Sequence, residues 1–297
     1  MWIIAALAVS SLGMTALARR YVARAHNRLS ETEAAWIAEG CIAQAHATID
    51  AVLALRRPLE SATTGSWATL DRALDQAMWK PRTVCQMTLR PTGLTLDANT
   101  VDRGTLVRLF VALGAGVPRA DSLSDAIVEW RDPRAQSHAA DVFDAWYADH
   151  ERVSPRHGPF ADVHELVGVR GMDSFDGIDS VLGIDPSRVL LDAAPLAVVR
   201  ALPGFTAQAV ARLSDYRAHE VPVPNLIRFA GELESDARDS LLAHYSDLVR
   251  VTTQVPDAWT LTAQAAVGDP QVTVIVEARL VPSATGAAIS VRRTWIE

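Results

Sequence analysis

MWIIAALAVSSLGMTALA occupies residues 1–18, and RRYVARAHNRLSETEAAWIAEGCIAQAHATIDAVLAL follows it over residues 19–55. From Ala18 to Leu55 there is no proline, and Gly40 is the only glycine. Apolar residues recur there with a period close to 3.6, which predicts one long helix that stops before Pro58. The recurring positions are Ala34, Ile37, Ala38, Cys41, Ile42, Ala45, Ile49, Val52 and Leu53.

Three interpretations of the uncharged segment 1–18 compete. A helix of this length spans about 27 Å, close to a bilayer core of about 30 Å, which favours a membrane anchor. A cleaved secretion signal would have basic residues before its apolar run, and a buried core helix is seldom free of charge over such a length. We therefore expect a transmembrane segment that ends at Arg19 and Arg20, although the positive-inside rule applied to these two arginines alone would place the rest of the chain in the cytoplasm.

The composition describes an ordered, mildly acidic protein. The chain has 297 residues, a formal charge of −7, 49% hydrophobic residues and 21% charged residues, which argues against a disordered protein and against a nucleic-acid binder. Lys80 is the only lysine among 28 basic residues, a bias typical of a GC-rich bacterial genome. Two cysteines, Cys41 and Cys85, are too few for a disulfide scaffold, but they could pair in an oxidising compartment.

The remaining periodicities predict an α+β fold. Alternation over residues 83–95 indicates a strand or hairpin, and residues 67–78 have a short helical pattern. Further predicted helices cover residues 102–113, 121–130, 139–147, 163–168, 194–202, 207–216 and 233–245. Further predicted strands cover residues 248–253, 259–267, 272–280 and 288–296. Because one strand before the helices can join the sheet after them, we predict a helical block inserted into an α+β frame.

The expected boundaries follow from these elements. A transmembrane segment covers residues 1–18, and the same helix continues over residues 19–57. The frame comprises residues 58–100 and 246–297. The inserted helical domain covers residues 101–245, and we expect its residues Leu202 to Arg217 to form a helix-hairpin-helix-like unit.

No motif in the chain indicates catalysis. GxSxG, HExxH, a Walker loop, a Rossmann glycine pattern and CxxC are all absent, and the eight histidines never adopt a metal-binding spacing. Residues 121–185 carry 14 acidic residues against 5 arginines, and Asp132, Asp141 and Asp144 are close enough in sequence to share a calcium ion. The alternative is that these acidic residues form a solvent-exposed face. This alternative is favoured, because the sequence has no EF-hand spacing. A hydrolase whose active site matches no known motif remains an alternative function. We expect neither a cofactor nor a small-molecule substrate.

The turn Leu202-Pro203-Gly204-Phe205-Thr206 resembles a helix-hairpin-helix. In DNA-binding hairpins a second glycine usually lets backbone N–H groups reach a phosphate, but here Thr206 occupies that position. A packing hairpin is therefore favoured, and a membrane-tethered nucleic-acid-binding protein is the alternative function.

Five stretches together resemble protein K of the type II (general) secretion pathway, a minor pseudopilin family. They cover nearly the whole chain in the order of the family. The stretches are WIAEG (36–40), TGLTLDAN (92–99), SDAIVEWRD (124–132), GPFADVHEL with VRGM (158–172) and VLLDAAP to LPG (189–204).

This resemblance implies a pilin-like fold: a long N-terminal helix packed on an antiparallel sheet, with an inserted helical domain. It implies a non-enzymatic protein of the inner membrane of a Gram-negative bacterium, with its C-terminal body in the periplasm. The protein would sit at the pseudopilus tip with the minor pseudopilins called I and J and with the major pseudopilin, where it would help to initiate assembly for protein export. Asp132 and Asp141 match two calcium-binding acids of some members. The apolar face of the long helix would supply the assembly interface, through Ile37, Ala38, Cys41, Ile42 and Ala45.

Overall fold

The computed structural model describes residues 2–55, 85–132, 138–219, 221–254, 256–283 and 286–296. Within these ranges the side chains of residues 3–12, 52–55, 138–143, 174, 282, 283, 286 and 287 are not described. The predicted helical pattern at residues 67–78 lies outside the described residues. The described chain divides into two compact units, a first unit of residues 2–55, 85–90 and 258–296 and a second unit of residues 91–257.

The described residues form the following helices and strands. The helices are α1 (Trp2–Leu55), α2 (Arg103–Ala112), α3 (Val117–Arg131), α4 (His138–Asp149), α5 (Glu165–Gly168), α6 (Leu196–Ala201), α7 (Ala207–Ala218), α8 (Leu226–Gly231), α9 (Ser235–Ala243) and α10 (Tyr245–Val251). The strands are β1 (Cys85–Pro91), β2 (Leu96–Asp97), β3 (Leu182–Gly183), β4 (Val189–Leu190), β5 (Thr252–Thr253), β6 (Trp259–Val267), β7 (Val272–Ser283) and β8 (Gly286–Ile296).

The first unit is a long helix on a four-stranded sheet of order β1-β6-β7-β8. Strands β6 and β7 pair antiparallel from Trp259 opposite Leu280 to Val267 opposite Val272, and β8 continues the antiparallel pairing on the other side of β7. A register shift between Glu277 and Ala278 interrupts the β7–β8 ladder. The predicted strand before the helical block joins the sheet after it, and the pilin-like α+β fold with a helical insertion is confirmed.

The core of the first unit lies between α1 and the inner face of the sheet. Three of the six buried helix residues are alanines, which lets the helix axis approach the strands closely. The helix contributes Ala34, Ala38, Cys41, Ile42, Ala45 and Ile49. The sheet contributes Trp259, Leu261, Ala263, Ala265, Val274, Val276, Ala278 and Leu280, alternate residues of β6 and β7 as a half-buried strand requires.

The second unit is helical and has its own core. Three of the stretches that carry the family resemblance contact one another in this unit, residues 92–99, 124–132 and 158–172. Asn99 donates from Nδ2 to the Phe160 carbonyl at 3.1 Å and accepts from the Phe160 N–H at 2.7 Å. The Phe160 ring stacks on Trp130, with centroids 6.0 Å apart and planes 3° apart. Arg131 donates to the Val101 carbonyl at 2.6 Å and also to the carbonyl of Ala98. These contacts join three segments of the second unit that are far apart in the sequence.

Two differences from the sequence-based prediction concern the limits of the helical unit. The predicted strand over residues 248–253 is the helix α10 followed by two strand residues, because Leu248 donates its N–H to the His244 carbonyl at 3.0 Å. The second unit is also wider than the predicted 101–245. The short strand β2 pairs with β3, and β5 pairs with β4, so the flanking residues are hydrogen-bonded into the helical unit.

Candidate functional site

The structure places the predicted interface residues of α1 inside the molecule. Ala38, Cys41, Ile42 and Ala45 are at most 4% exposed and pack on the sheet of the same chain, and Ile37 is half-buried against the same cluster. A side chain that is already buried in its own core is not available to a partner. The predicted use of this face as an assembly interface is therefore corrected, and substitutions there would act on folding.

The opposite face of α1 carries a second apolar row, and that row is exposed. Its members are separated by three, four or seven residues, so they lie on one side of the helix. We call this row the outer stripe; it consists of Val22, Ala25, Leu29, Trp36, Gly40, Ala43 and Ala47. The sequence-based prediction includes only the face around Ala38, although the same helical period also relates the residues of the outer stripe.

The outer stripe combines large exposed residues with a close-approach point. Val22 is 68% exposed, Leu29 is 66% exposed and Trp36 is 74% exposed. A Cβ built on Gly40 would meet nothing within 4 Å, so the helix backbone itself is accessible there. Small residues at Gly40, Ala43 and Ala47 are the pattern that allows two helices to pack closely.

Charge changes sign along the same helix. Arg19, Arg20, Arg24 and Arg28 are exposed, and Glu33 and Glu39 follow on the exposed part of the next turns. All residues from 13 to 29 are exposed, so this half of the helix buries no side chain within the described chain. Among the described residues, no helix combines the length and apolarity needed to cross a membrane.

The structure describes the side chains of two of the three acidic candidates, Asp132 and Asp144. Asp132 is half-buried and follows the last residue of α3, where its N–H donates to the Val128 carbonyl at 3.0 Å. The side chain of Asp141 lies outside the described residues, and Asp144 contacts Nε2 of His157 at 3.1 Å. No group of three or more His, Cys, Asp or Glu side chains in the described part of the chain is arranged to hold a metal ion. Calcium binding by Asp132 and Asp141 stays a prediction.

The hairpin between α6 and α7 packs against its own unit. Gly204 has a φ of 79°, and a Cβ there would lie 2.8 Å from the Ser240 carbonyl oxygen. Arg217 donates to the carbonyls of Leu191 and Ala194, and its burial lowers its pKa. Arg212 pairs with Glu232 at 2.7 Å. Of the three arginines of the hairpin, Arg200, Arg212 and Arg217, two are thus engaged within the protein, which does not favour a phosphate-binding hairpin.

Comparisons with known proteins agree with this architecture. Residues 89–176 match the family model described as "Type II secretion system (T2SS), protein K". GspK in the crystal structure of the GspK-GspI-GspJ complex from the enterotoxigenic Escherichia coli type 2 secretion system has the same fold, with a TM-score of 0.65. The match covers 92% of this chain and 99% of that one at 15% identity. No curated protein sequence matches the chain significantly. The family match and the shared fold confirm the resemblance to type II secretion system protein K that the sequence motifs indicated.

Proposed function

We propose that this protein is a minor pseudopilin that assembles with other pseudopilins through the outer stripe of α1. The observation that carries the proposal is the pair of apolar faces on one helix. The face around Ala38 is already buried on the sheet, whereas the face around Trp36 is exposed. A soluble helix normally needs only one apolar face, so a second one is explained by a partner.

The partners are apolar helices of the I-type and J-type minor pseudopilins and of the major pseudopilin. The fold supports this choice, because the structure with the shared fold is a complex named for GspK, GspI and GspJ. In such an assembly the exposed half of α1 would lie among neighbouring helices. The protein would sit at the tip of the pseudopilus and help to initiate its assembly for protein export.

The role is structural and needs no catalytic chemistry. We place the body of the protein in the periplasm, with residues 1–18 as the anchor in the inner membrane. The four arginines at positions 19, 20, 24 and 28 would then follow the membrane-embedded segment, where the long side chains nearest its end can extend to the polar headgroup region.

The test is complex formation by the full-length chain with I-type and J-type pseudopilins in detergent. Trp36→Arg places a charge in the centre of the outer stripe and should reduce recovery of the complex at least tenfold. Ile227→Arg is the matched control, because Ile227 is an apolar helix residue that is 61% exposed in the second unit. Equal recovery of the wild type and Trp36→Arg would refute the proposed use of this face.

A further inference from the structure

The two cysteines of the chain are 44 positions apart in the sequence, and both lie at the core of the first unit. Cys41 lies in the buried row of α1 and is 4% exposed. Cys85 is the first residue of β1, the strand at one edge of the sheet. Both side chains belong to the core cluster of the first unit, Cys41 as a buried member and Cys85 as a half-buried residue packed against it.

The local structure of β1 explains why Cys85 faces the helix. Burial alternates along the strand, so that Cys85, Met87 and Leu89 point to the core while Gln86, Thr88 and Arg90 are exposed. Cys41 occupies the helix face that packs on the same side of the sheet. Cys41 helps to raise the pKa of the Cys85 thiol, which supports the proximity of the two side chains, and both are free thiols in this structure.

We propose that Cys41 and Cys85 form an intramolecular disulfide that staples α1 to the edge strand β1. The formation of this bond in the cell rests on the proposed function, because the periplasm, where we place the body of the protein, is an oxidising compartment. The bond would close residues 42–84 into a covalent loop. It would also tie β1 to the helix at the edge of the sheet, so that a pull on the exposed half of α1 reaches the sheet through a covalent link.

The oxidant is the disulfide of a protein thiol oxidoreductase. The thiolate of Cys85 attacks one sulfur of that disulfide, which forms a mixed disulfide and releases one oxidoreductase thiol. The thiolate of Cys41 then attacks the Cys85 sulfur, so that the intramolecular bond forms and the second oxidoreductase thiol leaves. Two electrons and the two thiol protons pass to the oxidoreductase, which ends as a dithiol.

The environment makes this exchange slow once the unit is folded. Burial, and then the hydrogen bond and the charge interaction with Cys41, raise the pKa of the Cys85 thiol far above its ordinary value, so little thiolate is present. The reduced folded protein should therefore react slowly with a maleimide, and the bond should form mainly while the unit is folding.

The first experiment counts free thiols in the full-length protein as cells hold it. Cells are quenched in acid, free thiols are blocked with N-ethylmaleimide under denaturing conditions, and the sample is then reduced and labelled with maleimide-polyethylene glycol. The proposal expects both cysteines to be labelled only after reduction. In Cys41→Ser and Cys85→Ser the remaining cysteine should be blocked at the first step. Wild-type cysteines that are both blocked at the first step would overturn the proposal.

The second experiment separates the bond from assembly and from localisation. Purified full-length protein, reduced and unfolded, is refolded in a glutathione buffer with an about tenfold excess of the reduced form. We expect a cross-linked peptide pair containing Cys41 and Cys85, and a midpoint of thermal unfolding that falls by several degrees when the bond is reduced. Free thiols or two glutathione adducts in place of that peptide would overturn the proposal, whereas the Trp36→Arg comparison would be unaffected.

Discussion

Gly40 separates the stability of the helix from its use as an interface. It lies in the interior of α1, is exposed, and has open space where a Cβ would stand. Glycine in a helix interior costs about 1 kcal/mol relative to alanine, because it loses more backbone entropy on folding. Gly40→Ala should therefore stabilise the isolated protein by about 1 kcal/mol and raise its unfolding midpoint by about 2–4 °C.

Gly40→Leu should keep most of this gain, since leucine is also a good helix former and a Cβ at this position would meet nothing within 4 Å. Its side chain would, however, fill the point where a partner helix approaches the backbone. Overpacking of a well-packed contact costs about 1–3 kcal/mol, and each 1.4 kcal/mol is about tenfold in affinity. We thus expect a protein that is more stable alone and binds its partners about tenfold or more weakly.

The measurements are thermal unfolding by circular dichroism and affinity for the I-type and J-type pseudopilins, both in detergent. Gly231→Leu is the matched control, because Gly231 is also helical, exposed and surrounded by open space. It should leave partner affinity unchanged. Unchanged affinity in Gly40→Leu would show that the outer stripe is not the contact surface. A loss of stability in that variant would instead show that position 40 does not tolerate a larger side chain within the protein itself.

Three further substitutions test the folded structure. Ile42→Ala should lower the free energy of unfolding by about 2–5 kcal/mol in the absence of any partner, because Ile42 is 4% exposed; a stability equal to wild type would put this side chain outside the core. Gly204→Ala should cost more than about 1 kcal/mol in chemical denaturation, since its φ of 79° and the Ser240 carbonyl at 2.8 Å leave no room for a methyl group. Burial alone would raise the pKa of Asp102, but hydrogen bonds from the hydroxyl and N–H of Thr105 bring it below its ordinary value. The stability that Asp102 provides is thus present above its unfolded pKa and is lost as pH falls below about 4, so Asp102→Asn should flatten the acid limb of the stability curve.

The sequence could predict which residues of α1 share a face, but not which face packs on the sheet and which is left exposed. The period of α1 showed that residues such as Ala38 and Ile42 share a face, and this was correct. The helix has two apolar faces, however, and periodicity does not say which one meets the sheet. That choice depends on Trp259, Val276 and the other strand residues, which come more than 200 positions later in the sequence.

The long helix and the last three strands were determined by the sequence alone, because a helical or a two-residue period is a local property of neighbouring residues. The residues that carry the family resemblance were also visible in the sequence. The tertiary structure decided what each of them does: Asn99 and Phe160 lock two loops together, and Gly204 lets the hairpin approach Ser240. It also decided that β1 lies beside β6, that β5 belongs to the helical unit, and that Cys41 and Cys85 share one core. These are pairings between residues far apart in the chain, and their energy comes from burial and hydrogen bonds that exist only once the chain has folded.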